Sequence, residues 1–205
     1  MAKKEVPLDS LRSFLPPGTY EEVSAFLHQY KVHLTIARER KTVLGDYRHK
    51  TDMQNHRISV NGNLNPYAFL ITTLHEIAHL VVFEKYQHRV QAHGKEWQQI
   101  FSHLLARFLQ RKLFPPDIEA ELHRILGSPA ASSCAEDGLI RILRRYDTQT
   151  NGRKLVEELE DKALFKLEDG RVFQRGAKQR KRYMCVEVKT GRAYLFSPVY
   201  EVSPV

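Results

Sequence analysis

The sequence LHEIAHL at residues 74–80 lies inside a strongly apolar segment of the chain. Asn65 and Pro66 precede this segment and form a helix-start signal, because Asn can cap free backbone N–H groups and Pro at the first helical position has no donor to lose. The apolar residues that follow cover much of the helix circumference, which is typical of a helix enclosed by protein. We therefore predict a buried helix over residues 66–84, in which polar side chains need a chemical reason.

Residues 75–79 form a His-Glu-x-x-His motif on this predicted helix. His75 and His79 are four residues apart, so both imidazoles emerge from one face, one turn apart, and can converge on one ion. Neutral imidazole suits zinc, and a catalytic zinc site uses three protein ligands and leaves one position for water. A chance match is the alternative, but burying these polar side chains without a metal would be costly. The motif therefore predicts one Zn2+ ion bound by His75 and His79.

Glu76 follows the first of these ligands and can reach a water molecule on the ion without binding the ion itself. Zinc lowers the pKa of such a water to ~7 and stabilises the oxyanion that forms when the water attacks a peptide carbonyl. Glu76 would accept the proton as general base. The motif thus predicts a zinc metalloendopeptidase with Glu76 as its catalytic residue.

The residues alone leave the third metal ligand open, since His88, His93 and His103 all lie downstream. His93 precedes Gly94 at the entrance of a second predicted helix, where an irregular backbone can turn the ring back toward the first helix. His88 is the main rival to His93. Glu96 is a minor carboxylate alternative.

Other segments predict the elements around this helix. Apolar residues recur at three- and four-residue spacing over residues 97–108, which predicts a second helix, and a shorter helix is expected over residues 117–126. The β-branched runs at residues 32–36 and 57–60 predict two strands that pair, with residues 45–46 in their connection. Together these elements predict an α+β fold with a helical core and a small sheet.

The end of the chain has a different pattern. Short strand-like runs separated by turn sequences predict an antiparallel sheet of three or four strands over residues 163–205. Before it, residues 128–162 begin with a segment rich in Ser, Ala and Pro and are expected to form a linker with a short helix. We therefore predict a catalytic domain over residues 1–127, this linker, and a basic subdomain over residues 163–205.

Composition restricts the class of protein. The 205 residues are 42% hydrophobic and 27% charged, which is typical of a globular chain, and no stretch is expected to span a membrane. The first residues lack the apolar centre of a secretory signal, so we predict a cytoplasmic protein. Cys134 and Cys185 cannot form a disulfide framework or a four-cysteine zinc site, and both are expected to be reduced thiols.

A net charge of +8 favours polyanionic partners. Eight Lys or Arg lie within residues 171–192 against Glu187 alone, with Phe173, Tyr183 and Tyr194 interleaved. Such a surface can track a phosphate backbone and stack exposed bases. The alternative is a solvated hairpin whose aromatic side chains fill the core of the small sheet. The candidate nucleic-acid-binding residues are Arg175, Lys178, Arg180, Lys181 and Arg182.

Four stretches resemble the SprT-like metallopeptidases, a family that includes the Spartan proteases acting on DNA-protein crosslinks. They are TVLGDYR at residues 42–48, ISVN at residues 58–61, HEIAH at residues 75–79 and HGKEW at residues 93–97. The His-Glu-x-x-His element alone is shared with many peptidases, but its combination with a downstream His-Gly-x-x-Trp is more specific. The resemblance implies a zincin-like core, a protein substrate and His93 as the third zinc ligand.

By analogy with the Spartan proteases, the resemblance also implies a role in DNA-protein crosslink repair, with DNA, preferentially single-stranded, as a partner. Family members often carry a C-terminal zinc ribbon with four cysteines, of which this sequence keeps only Cys185 in that region. We therefore predict a ribbon-like sheet without zinc. Two rival functions remain: a DNA-binding or transcription-associated regulatory protein with a structural metal site, and a peptidase unconnected with DNA.

Overall fold

The computed structural model describes residues 8–40, 43–127, 129, 136–148 and 152–205. Thr42, Cys134 and parts of the predicted linker lie outside the described residues. The chain forms two compact units, Met1–Tyr146 and Asp147–Val205. Helices and two sheets are present, so the predicted α+β class is confirmed.

The first unit combines helices with a small three-stranded sheet, on which the helix Pro66–Tyr86 packs. In chain order, its elements are the 3-10 turn Leu8–Phe14, α1 Tyr20–Gln29, β1 His33–Ala37, β2 Gly45–Arg48, β3 Arg57–Asn61, α2 Pro66–Tyr86, α3 Lys95–Gln110, α4 Pro116–Ile125 and α5 Asp137–Arg144. The three helices predicted between residues 66 and 126 are confirmed. The 3-10 turn and α1 were not predicted.

The small sheet has the strand order β1-β3-β2, with β1 parallel and β2 antiparallel to β3. The expectation that residues 45–46 lie in a connection is wrong, because they belong to the edge strand β2. Gly45 lies opposite Val60 and Tyr47 opposite Ile58. Directly opposed residues point to the same side of a sheet, and both Ile58 and Val60 are buried in the core. Gly45 and Tyr47 therefore face the core, where α2 packs.

Helix α2 is buried around most of its circumference. By length and composition alone it could cross a membrane, contrary to the expectation from the sequence, but 78% of its apolar window is buried inside the protein. Its neighbour α3 contributes large buried side chains, among them Trp97, Phe101 and Phe108. Helix α2 is therefore the central core helix of this unit.

The start of α2 is held by Asn65. Its side-chain Oδ1 accepts a hydrogen bond from the backbone N–H of Ala68 at 3.0 Å, and its Nδ2 donates to the carbonyl oxygen of Leu143 at 2.9 Å. Pro66 follows at the first helical position, as predicted. Because Leu143 lies on α5, this buried side chain both caps α2 and joins it to α5.

The second unit is a six-stranded antiparallel sheet with the order β4-β9-β5-β6-β7-β8. The strands are β4 Lys154–Leu155, β5 Leu164–Lys166, β6 Val172–Gln179, β7 Arg182–Glu187, β8 Ala193–Phe196 and β9 Glu201–Pro204, with a 3-10 turn at Val156–Glu158 after β4. The prediction of three or four strands was too low. Phe165, Phe173, Cys185 and Val202 are among its buried core residues. The likeness of this sheet to a zinc ribbon stays a prediction.

The two units divide between Tyr146 and Asp147, whereas the sequence-based division set a linker over residues 128–162. Helix α5, inside that predicted linker, belongs to the first unit, since its Leu139 and Leu143 are part of the first core. Strand β4 belongs to the second unit, since it pairs with β9.

Replacing Asn65 tests its double role. Asn65→Ala should lower the free energy of unfolding of the first unit by about 2 kcal/mol, because a cap is lost and the Leu143 carbonyl loses its donor. Asn65→Asp keeps an acceptor for the Ala68 N–H but turns a carboxylate oxygen toward the Leu143 carbonyl, so it should lose at least as much. The measurement is urea unfolding followed by the fluorescence of Trp97, the single tryptophan. A loss below about 0.5 kcal/mol for Asn65→Ala would contradict the assignment.

Candidate metal centre

Three imidazole rings converge beside α2. His75 and His79 lie on this helix, and His93 lies in the loop before α3. Nε2 of His75 is 3.1 Å from Nε2 of His79 and 3.3 Å from Nε2 of His93. One ligand atom from each of the three residues lies within 4.8 Å of the other two. The structure thus brings together the three histidines that the sequence analysis proposed as ligands.

The alternative third ligands lie elsewhere. The ring of His88 packs on Phe83 and His49, with centroid distances of 5.3 Å and 5.0 Å. His103 is exposed on α3, and Glu96 lies in the first turn of that helix. Within the described part of the chain, the three histidines are the group of metal-binding side chains that lies close enough to hold one ion.

The spacing of the three rings fits zinc. Two nitrogen ligands at 2.0–2.1 Å from a tetrahedral ion lie about 3.3 Å from each other. The distances of 3.1 Å and 3.3 Å from Nε2 of His75 agree with this value. Nitrogen ligands from neutral imidazole also suit zinc chemically. The donor set therefore fits a zinc ion.

Electrostatics keep these histidines in the form that binds a metal. Burial, followed by the charges of His79 and His93, lowers the pKa of His75 to about 3. Burial and the charge of His93 lower the pKa of His79 to about 4, although a hydrogen bond with the backbone of Ala92 acts in the opposite direction. Burial also lowers the pKa of His93. All three rings are therefore neutral at pH 7, and no proton has to leave before a metal binds.

Glu76 is buried next to the triad, and β2 passes directly over it. Burial, followed by the negative charge of Asp46, raises the pKa of Glu76 to about 8, and the positive charge of Arg40 opposes the shift. A Cβ atom placed on Gly45 would lie 2.5 Å from Oε1 of Glu76 and 2.8 Å from Cγ2 of Thr72. Only glycine allows β2 to approach the carboxyl group this closely.

Arg40 holds the segment that leads into Gly45. Its Nε donates to Oδ1 of Asn61 at 2.8 Å, and its Nη1 donates to Oγ of Ser59 at 2.8 Å. Nδ2 of Asn61 donates in return to the carbonyl oxygens of Arg40 and Val43, at 3.1 Å and 3.0 Å. These bonds tie Arg40 and Val43 to the end of β3, and Val43 lies two residues before Gly45 in the chain.

Sequence reasoning did not assign a role to Arg40 or Asn61. A signal was present, because strict alternation along β3 puts Ser59 and Asn61 on the face opposite the apolar residues Ile58 and Val60. Polar side chains on that face need partners from elsewhere in the chain. The identity of the partner could not be read from the alternation.

Residues 19–116 match the SprT-like family. This part of the chain is similar to the SprT-like family, and the match covers just under half of the 205 residues. The match includes the small sheet, α2, α3 and all three histidines. Comparisons with curated proteins and with solved structures give no match. The first unit therefore contains a metallopeptidase-like domain, which we call the SprT-like domain.

Trp97 is the common neighbour of the three histidines in the SprT-like domain. The indole is fully buried in the first turn of α3. Its ring centroid lies 4.6 Å from that of His75, 5.5 Å from that of His79 and 4.8 Å from that of His93. Trp97, the last residue of HGKEW, therefore packs against the rings of all three histidines.

The predicted nucleic-acid-binding residues lie on β6, β7 and the turn between them, but they do not share one environment. Lys178, Arg180, Lys181 and Arg182 are exposed at the end of this hairpin. Arg175 differs: its side chain is 14% exposed, its Nη1 lies 3.5 Å from Oδ1 of Asp161, and its guanidinium lies 4.3 Å from the Tyr183 ring centroid. The structure therefore places Arg175 in an internal contact and the other four at the surface.

The raised pKa of Glu76 predicts how its replacement affects the zinc-free SprT-like domain. Because the folded state disfavours the ionised carboxyl, wild type loses stability as the pH rises from the ordinary value of 4.5 toward about 8. Glu76→Gln does not titrate, so it should become the more stable protein by on the order of 3 kcal/mol at pH 8. Urea unfolding with a chelator at pH 5 to 8, followed by Trp97 fluorescence, measures the difference.

The matched control for this experiment is Asp52→Asn, which removes one carboxylate from an exposed turn. The difference in the free energy of unfolding between Asp52→Asn and wild type should stay constant over the same pH range. If the difference in the free energy of unfolding between Glu76→Gln and wild type were also independent of pH, the carboxyl group of Glu76 would not be held in its neutral form by burial.

Proposed function

We propose that the SprT-like domain is a zinc-dependent metalloendopeptidase in which His75, His79 and His93 bind one Zn2+ ion and Glu76 is the general base. The observation that carries this proposal is the convergence of three neutral imidazole nitrogens at the spacing of zinc ligands, beside a buried carboxyl group. A purely structural metal site does not need that carboxyl, and its burial is costly.

Each side chain has one task in the proposed hydrolysis of a peptide bond. The three imidazoles hold the ion, and Trp97 packs behind their rings. Lewis acidity comes from zinc when it is bound, which acidifies water and polarises a carbonyl group. Glu76 accepts a proton from the water that attacks the carbonyl carbon, and it delivers this proton to the amine nitrogen when the C–N bond breaks.

The charge of a bound cation favours the ionised form of a neighbouring carboxyl. Glu76 has a raised pKa in the metal-free protein, so metal loading would bring this pKa down toward neutrality. A general base works best when its pKa lies near the operating pH. The burial of Glu76 and the charge of zinc therefore have opposite effects that together suit a base at neutral pH.

We further propose that the substrates are DNA-associated proteins and that the second unit contacts the phosphate backbone. Lys178, Arg180, Lys181 and Arg182 support this, because they are exposed and form no ion pair within residues 152–205. Phe173 and Tyr183 are buried, so these two rings do not stack on bases. The proposed contact is therefore electrostatic and independent of base sequence.

The first test compares zinc-loaded wild type with Glu76→Gln on a DNA-binding test protein, with and without single-stranded DNA. Wild type should cleave the test protein, and DNA should increase the rate. Glu76→Gln should keep its zinc but cleave about 10²–10⁴-fold more slowly, since this is the usual contribution of a general base. Gel analysis gives the rates, and elemental analysis gives the zinc content.

His93→Ala and His88→Ala form the matched pair for the metal assignment. His93→Ala should lose zinc and activity, while His88→Ala should keep both. Zinc-loaded wild type that cleaves nothing under either condition would contradict the peptidase proposal and favour a regulatory protein with a structural metal. Cleavage that ignores DNA would favour a peptidase unconnected with DNA.

A second test concerns the basic hairpin. Replacing Arg180, Lys181 and Arg182 with Gln should weaken single-stranded DNA binding at least tenfold at low salt. The plot of log affinity against log salt should lose about 2 units of slope, because each phosphate contact on a single strand contributes about 0.7. Fluorescence anisotropy of a labelled oligonucleotide between 50 and 200 mM salt measures both quantities.

The control variant replaces Lys154, Lys162 and Lys166 with Gln, which also removes three positive charges from the second unit. It should change the affinity and the slope much less than the hairpin variant. Equal effects of the two variants would mean that net charge, and not the hairpin, determines DNA binding.

A further inference from the structure

Tyr47 covers the imidazole of the second metal ligand. It lies on β2, two residues after Gly45, and faces α2. Its ring centroid is 6.5 Å from that of His79, and the two planes are 7° apart. This distance is within the range of interacting aromatic pairs. The proposed hydrolysis leaves Tyr47 without a task, although it packs on a ligand.

The hydroxyl group of Tyr47 has a fixed partner. Its Oη lies 2.9 Å from Nδ1 of His56, and the backbone N–H of Lys50 donates to the same Nδ1 at 3.2 Å. Because a backbone N–H can only donate, Nδ1 of His56 is an acceptor, and the Tyr47 hydroxyl donates to it. His56 is 2% exposed, so its ring is held in a well-packed interior.

The direction of these hydrogen bonds determines which ring nitrogen of His56 carries the hydrogen atom. A neutral imidazole that accepts at Nδ1 carries its hydrogen at Nε2, and this atom lies 3.3 Å from Oε1 of Glu84. The same Oε1 lies 2.9 Å from Nζ of Lys50. Contact with Lys50 lowers the pKa of Glu84, so an ionised carboxylate lies beside Nε2 of His56, although the two atoms do not form a hydrogen bond.

These contacts close a loop around the metal ligand. Glu84 lies on α2, five residues after His79, and Tyr47 returns to His79 from β2. We call Tyr47, His56 and Glu84 the bracket. Through the contact of Tyr47 with His79, it runs from His79 to Glu84, which both lie on α2, and it joins that helix to the edge strand at the level of the second ligand.

We infer that Tyr47 is a positioning residue of the metal centre, whose ring fixes the orientation of the His79 imidazole and whose hydroxyl is fixed in turn by His56 and Glu84. This inference rests on the proposed zinc site. A ligand ring that is free to rotate must lose that freedom when the metal binds, so an ordered ring gives tighter binding. The bracket therefore acts on metal affinity and not on the chemistry itself.

The test measures zinc affinity by competition with a chromophoric chelator at pH 7.5. Tyr47→Ala should weaken zinc binding about 10–100-fold, the usual effect of losing a residue that orients a ligand. Tyr47→Phe keeps the ring but loses the bond to His56, and its affinity should lie between those of Tyr47→Ala and wild type.

A double-mutant cycle separates the bracket from general packing. His56→Ala and Tyr47→Phe break the same link, so the double variant should bind zinc no more weakly than His56→Ala alone. If the losses of zinc affinity in the two single variants added up in the double variant, the role of His56 would be overturned. Melting temperatures of the zinc-free variants show whether each protein folds, and Tyr47→Phe decides the question if Tyr47→Ala does not fold.

Tyr67→Phe is the matched control, because Tyr67 lies at the start of α2 and its ring packs on Phe114 and Tyr146, not on a metal ligand. It should bind zinc as tightly as wild type. If His79→Ala loses zinc while both Tyr47 variants bind it as wild type does, the inference is overturned and the zinc site stands. If His79→Ala and wild type bind zinc equally, the proposed zinc site itself fails, and the inference fails with it.

Discussion

The desolvation of polar side chains on α2 is the constraint on which the SprT-like domain depends. His75 and Glu76 are each 4% exposed on a helix that is otherwise almost wholly apolar. Burial of this kind costs folding free energy, and it is the first cause of the pKa shifts of both groups. The same apolar interior that makes the site costly to fold therefore keeps the imidazoles neutral and the carboxyl responsive to a cation.

Both faces of the small sheet contribute to the surroundings of α2. On the core face, Gly45 leaves room for the carboxyl of Glu76, and Tyr47 covers His79 two residues later. On the opposite face, Asn61 and Arg40 bind the segment that enters β2. Because side chains alternate along a strand, the hydrogen bonds of Asn61 and Arg40 can hold the strand from the face opposite the three histidines. The close approach of Gly45 to Glu76 is thus supported by hydrogen bonds on the far side of the sheet.

Helix α2 and its two histidines could be predicted from the sequence, because the patterns that predict them lie within a short stretch of the chain. The cap at Asn65 and the continuous apolar run predicted α2, and the motif spacing brought His75 and His79 together. Strand β2 was missed, since Gly45 and Asp46 are poor strand formers and the strand exists through its pairing with β3. Strands β4 and β9 were missed because they are short, with two and four residues, and pair across a long separation. Long-range pairing leaves little trace in any short window.

Arg175 shows how strand parity divides the basic residues of the second unit. Phe173 is buried, and residues two apart on a strand point to the same side, so Arg175 also lies on the covered side, where it packs on Tyr183 and reaches the exposed Asp161. The register then shifts between Arg175 and Lys178, and the following cations are exposed. A count of charges along the sequence cannot make this distinction, because the bulge changes which residues face solvent. The exposed positive charge of β6 and β7 is therefore concentrated at the hairpin end, away from the aromatic core of the sheet.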